Sequence, residues 1–209
     1  MPHDVIITKG ASVCAMLMLA ACGGSSNSND LVSDRPGHFE NGLAELEDEL
    51  AQQVTIQYFS DPADVLLSGS AVFNGVVSGL VSGEDIQPIS IFGDLMIETD
   101  FSNGSQSITG SADDFVTSDG DPLSGQLQII DGTLDDQVNP NADHTVSADL
   151  VGTIVSDDDG ELEFSLNLEG DFYGADATLI AGGANGIVRQ NFESLNFSGR
   201  FVASSSLTQ

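Results

Sequence analysis

The sequence predicts an all-β protein, an eight-stranded antiparallel up-and-down β-barrel with a short N-terminal helix, and three observations lead there. Beyond Val65 apolar and polar residues alternate with a period of two, the pattern of half-buried strands. Clusters of Gly, Asn, Asp and Pro interrupt that alternation at short intervals, as hairpins require. The runs between them number eight, near 67–82, 90–100, 106–115, 123–131, 144–156, 161–173, 176–188 and 194–203. Eight such strands are enough to close a small barrel, and closure removes the edges that would otherwise make so β-rich a chain aggregate.

The N-terminus reads as a targeting segment. Met1 to Lys9 carries one basic residue, Lys9, and is followed by the apolar run Ala11 to Ala20. That run has the length of a signal-peptide core and falls short of the roughly 20 apolar residues that a membrane-crossing helix needs. It ends in Leu19-Ala20-Ala21-Cys22, and Gly23-Gly24-Ser25-Ser26-Asn27-Ser28 follows. This order resembles the bacterial lipobox, in which small residues precede a cysteine. The resemblance implies cleavage before Cys22, a diacylglycerol thioether on its sulfur, and a further acyl chain such as palmitate on its new α-amine. Residues 1–21 are then a lipoprotein signal peptide. Several chains anchor where one would not, since each buried CH₂ contributes about 0.8 kcal/mol. A buried N-terminal helix holding both cysteines is the competing reading. If cleavage occurs, Cys14 leaves with the signal and the mature chain has no thiol with which Cys22 could pair. The domain must then be stable outside the cytosol without disulfides.

Residues 22–37 read as a flexible tether of small polar residues, ended by Pro36-Gly37. A helix and connector follow over 38–64. Phe39, Leu43, Leu46 and Leu50 recur at helical spacing with acidic residues between them, which predicts a short amphipathic helix from about Phe39 to Gln53. It is expected as a lid or plug beside the barrel, which occupies 65–204.

Within the barrel the clearest run is Glu161 to Phe172. Leu162, Phe164, Leu166, Leu168 and Phe172 share one face, and Glu161, Glu163, Ser165, Asn167, Glu169 and Asp171 the other. A row of carboxylates facing lipid would be costly, so these strands belong to a barrel in water and not to one inserted in a membrane. Ser102-Asn103-Gly104, Asp119-Gly120-Asp121-Pro122 and Asp157-Asp158-Asp159-Gly160 suit tight hairpins. Gly69, Gly75, Gly79, Gly110, Gly152 and Gly170 are expected to mark bulges or bends.

The formal net charge is −29, and Lys9 is the only lysine of the chain. Such a charge opposes nucleic acid and anionic lipid, which both require Lys and Arg contacts, so neither is expected as a partner. Membrane contact is expected through the lipid anchor only. The acidity serves either solubility or steering toward a basic partner.

Several segments resemble the transferrin-binding protein B barrel family. Gly69-Ser70-Ala71-Val72-Phe73-Asn74-Gly75 looks like that family's opening strand, and Leu95 to Phe101 with Gln106 to Gly110 is similar to its second hairpin. The most specific piece is Gly170-Asp171-Phe172-Tyr173-Gly174-Ala175-Asp176-Ala177, which resembles the family's Gly-x-Phe-Tyr-Gly-x-x-Ala signature. The resemblance covers about residues 67–203. It implies a surface lipoprotein on an eight-stranded barrel that binds a protein partner such as transferrin, factor H or a haem-carrying protein, with iron or haem acquisition as the setting and no catalysis. The signature residues Gly170, Phe172, Tyr173, Gly174 and Ala177 are read as scaffold. Members that bind transferrin carry two lobes, each with a handle domain, and the residues ahead of this barrel are too few for one. No contact residue is therefore carried over.

Catalytic chemistry is not expected. His38 precedes the helix and His144 lies in a polar loop, and neither joins a nucleophile. No cofactor is implied, and neither zinc spacing nor a twelve-residue calcium loop is present; haem ligation by His144 or Tyr173 would rest on one residue. Two functions follow as expectations. One is a monomeric, outer-membrane-anchored module, at the cell surface or on the periplasmic face, that binds an unknown protein ligand. The other is a lipocalin-like carrier with haem or another apolar molecule inside the barrel. A Cys22→Ser substitution is expected to move the protein from the membrane pellet to the soluble fraction and to abolish palmitate labelling. Continued pelleting with washed membranes would refute the anchor.

Overall fold

Period-two alternation dictates strands with one apolar face, and those faces need a common interior. The computed structural model describes residues 35–56, 69–84, 86–100, 107–134, 146–157, 160–174 and 177–205. A helix, α1 (Arg35–Ile56), precedes eight strands: β1 (Ser70–Ser82), β2 (Ile89–Asp100), β3 (Ser107–Thr117), β4 (Ser124–Leu134), β5 (Val146–Ser156), β6 (Gly160–Tyr173), β7 (Leu179–Gln190) and β8 (Glu193–Ser204). Each strand pairs antiparallel with its sequence neighbours, and β1 pairs with β8, so the sheet closes in chain order. The eight-stranded up-and-down barrel is the fold that the alternation predicted.

The interior is a packed core. Inward side chains from all eight strands form one contiguous buried cluster. Phe73 and Phe172 meet at 5.8 Å between ring centroids, and Phe164 stands edge-on to Phe197 at 6.0 Å. On β6 the division is the one the sequence drew: Leu162, Phe164, Leu166, Leu168 and Phe172 are buried, while Glu161, Glu163, Ser165, Asn167 and Glu169 are exposed. No described buried side-chain nitrogen or oxygen lacks a hydrogen-bond partner.

Closure depends on backbone proximity. A Cβ on Gly75 would collide with the Val202 carbonyl oxygen, and one on Gly199 with that of Ser78. These positions admit only glycine without a shift of the β1–β8 ladder. Gly79 and Gly93 have another role, because the rings of Phe197 and Phe115 lie over them and fill the missing side-chain volume.

The structure corrects the reading of the bulges. Of the glycines expected to mark them, Gly110 alone falls inside a register shift, that between Ile108 and Ser111. Gly75, Gly79, Gly152 and Gly170 sit in unbroken ladders. The register also slips between Phe92 and Asp94 and between Ile130 and Thr133, beside Asp114 (φ 54°) and Asp131 (φ 51°). Asp tolerates the left-handed region better than most residues, so short acidic side chains supply the extra residue.

Two expectations about the helix also change. It begins at Arg35, and Pro36 and Gly37 lie within it instead of ending the tether before it. Proline suits a first helical turn, where its missing N–H would have had no partner. The helix is also neither lid nor plug: it packs on the outer wall. Phe73→Ala, which removes a ring 1 % exposed, is expected to cost about 3–5 kcal/mol in urea unfolding. Its outward neighbour Val72→Ala should cost under about 0.5 kcal/mol.

Candidate functional site

The outer surface has two distinct regions. The first is the wall under α1. Phe39, Leu43 and Leu46 are buried in a cluster with outward residues of five strands: Val76 of β1, Phe92 of β2, Val116 of β3, Leu179 and Ala181 of β7, and Val202 of β8. Phe39 stacks on Phe92 with centroids 6.5 Å apart and planes 18° from parallel. The helix therefore crosses the strands as a strap. Each buried large side chain contributes about 1.5–3 kcal/mol. The ion pair of Glu47 with Arg200, at 2.7 Å and partly exposed, adds at most about 1 kcal/mol. Apolar contact holds the strap. Beside it, Leu43, Leu80, Phe92 and Arg200 line an open groove of about 320 Å³.

The signature residues gather at the end of β6 and the turn into β7. A Cβ on Gly170 would press on the Ala181 carbonyl and the Phe201 ring. Phe172 points inward into the core, and Tyr173 points outward against the strap cluster. Gly174 (φ 90°) and Ala177 (φ 50°) turn the chain, and the Ala177 N–H donates to the Gly174 carbonyl at 3.2 Å. Burial raises the Tyr173 phenol above its ordinary value of 10.0, and the Asp171 carboxylate adds to the rise.

The second region is the end of the barrel that carries the β1–β2, β3–β4, β5–β6 and β7–β8 turns. Its exposed residues include Glu84, Asp119, Asp121 and Asp157. Thr117 organises the β3–β4 turn: its N–H donates to the Asp121 carbonyl, its carbonyl accepts from Gly120, and its Oγ1 accepts from the Asp121 N–H at 3.1 Å. At the β7–β8 turn Phe192 is wholly exposed.

Cys22, the signal segment 1–21 and His144 lie outside the described residues. His38 is exposed on the helix, edge-on to Phe39 at 5.9 Å. Among the described residues no group of three or more His, Cys, Asp or Glu could hold a metal ion.

No family model matches the chain. Nor does any curated protein match it. Two solved structures of the vaccine antigen transferrin binding protein B from Haemophilus parasuis Hp5, a double mutant and a single mutant, are similar to it at 17 % identity. The TM-scores are 0.40 and 0.41, over 72 % of this chain but only 28 % and 29 % of theirs. The chain thus spans less than a third of the length of those proteins, and the barrel assignment rests on the strand pairing described above.

Sequence reasoning missed the strap site, although a signal was present. Val76-Val77, Phe115-Val116, Leu179-Ile180 and Phe201-Val202 break the alternation with paired apolar residues, as strands buried on both faces do. Phe192 was missed because a lone aromatic between strands carries no periodic signal. Tyr173 generates a test. An unfolded tyrosine ionises near 10, while the folded one holds its proton higher. The contribution of this group to stability is therefore fully present below that pH and is lost as pH rises through the folded value. Tyr173→Phe should lessen the loss of urea midpoint between about pH 9 and about pH 11. An equal loss in both proteins would contradict the assignment.

Proposed function

We propose that this chain is a surface-anchored bacterial lipoprotein whose barrel is a binding module for a protein partner, with no catalytic role. The observation that carries the reading is the interior: inward side chains of all eight strands are spent on one apolar core, which leaves recognition to the outer wall and the turns. The anchor rests on the lipobox resemblance at Cys22. Exposed carboxylates along β6 support a barrel held off the bilayer, because lipid would not accept them. Repulsion between copies at a net charge of −29 supports a monomeric state. Iron or haem acquisition is the setting that the resemblance of Gly170 to Ala177 suggests, with the outer membrane as the location.

The lipocalin-like carrier reading needs an interior compartment, and the same core opposes it. Immobilised mature protein offered transferrin, factor H, haemoglobin and free haem separates the two. The module reading expects saturable binding of at least one of the proteins and none of free haem. Saturable haem binding with no protein bound would refute it.

A further inference from the structure

Phe192 belongs to neither buried cluster of the protein. It sits at the tip of the β7–β8 hairpin with a relative exposure of 107 %. The chain reverses through Asn191 and Phe192 between the paired residues Gln190 and Glu193. Both turn residues have positive φ, 47° and 73°. That is the pattern of a type I′ turn, in which Asn followed by Gly is strongly preferred. Phenylalanine at the second position works against folding twice. Its Cβ strains the left-handed backbone, and its ring stays in water where burial would have rewarded it. The other exposed large apolar residues, such as Val155 and Ile187, keep 41 % and 44 % exposure and lie on strands, where side-chain packing across the sheet uses them. Phe192 stands apart from them in both respects.

Its surroundings are mainly acidic. The neighbouring turns at this end of the barrel are β5–β6 on one side and β1–β2 on the other, and they present Asp157 and Glu84. Glu193 follows the tip directly and Glu161 stands at the start of β6, both exposed. The nearest cation, Arg189, faces Glu163 across the β6–β7 register.

We infer that the β7–β8 tip is a docking point for a basic protein: Phe192 enters an apolar pocket of the partner, and Glu84, Asp157, Glu161 and Glu193 face Lys and Arg around that pocket. The inference rests on the proposed role as a binding module and gives it a location and a partner chemistry. An aromatic anchor inside a polar rim is the arrangement that concentrates binding energy at protein interfaces. A second copy of this chain would bring carboxylates against carboxylates, and an anionic membrane would repel the same rim.

The test places photo-crosslinking benzoylphenylalanine in the full chain at position 192 and, separately, at Val155 and Ile187 on the wall, in cells that produce the protein. The expected result is a crosslink from position 192 to a basic protein, with none to that protein from the wall positions. The purified partner should bind Phe192→Gly at least about tenfold more weakly than wild type and should weaken as salt is raised. The unfolding midpoint of Phe192→Gly should be no lower than that of wild type, which separates lost contact from lost fold. Crosslinks from the wall alone would overturn the docking point and spare the binding module, whereas no crosslink from any position would count against both. An acidic partner, or equal affinity for Phe192→Gly, would overturn the inference. So would Phe192-dependent binding to phosphatidylcholine vesicles in place of a protein.

Discussion

Everything in this structure depends on the hydrogen-bonded closure of β1 onto β8. Antiparallel strands with one apolar face leave two raw edges, and joining the first strand to the last removes both. The join runs from Asn74 opposite Ser204 to Ser82 opposite Asn196. It is possible because Gly75 and Gly199 let the two backbones approach where any Cβ would strike a carbonyl. Once closed, the barrel turns every inward residue toward one space, and the phenylalanines fill it. The proposed binding role therefore falls to the outside.

Closure does not make the outside uniform. The strap α1 covers part of the wall, and the strands beneath it carry apolar residues on both faces. Val76, Phe92 and Val202 are buried by the helix, not by the barrel. Elsewhere the wall mixes polar side chains, with the β6 carboxylates as their clearest row, with single exposed apolar residues such as Val72, Ile130 and Ile187. Tyr173 links the two worlds: its backbone ends β6, its ring meets the strap cluster, and burial together with the Asp171 carboxylate pushes its phenol up.

Much of this was legible in the sequence, for a physical reason. Period-two alternation is imposed residue by residue, so β6 could be read directly from Glu161 to Phe172. Strand ends were legible because Asp119-Gly120 and Asp157 to Gly160 are turn chemistry in any context. What was not legible depends on tertiary placement. Nothing local in Phe39, Leu43, Leu46 and Leu50 says whether the stripe plugs a barrel or straps it. The answer lay in doublets such as Phe115-Val116, whose meaning appears only when two elements are considered together. Asp114 and Asp131 were read past because glycine is the expected bulge residue. Phe192 was silent because its significance is a contradiction between residue and backbone, which a sequence alone does not show.

If the barrel works from its surface, as proposed, its packed interior takes no ligand. Spectral titration of the full chain with haem tests this most directly, since a carrier of this size would take one apolar ligand into its interior. The filled core predicts no saturable change in the haem absorption band. A stoichiometric, saturable shift that is abolished by enlarging an inward residue, for example Ala184→Phe, would contradict it.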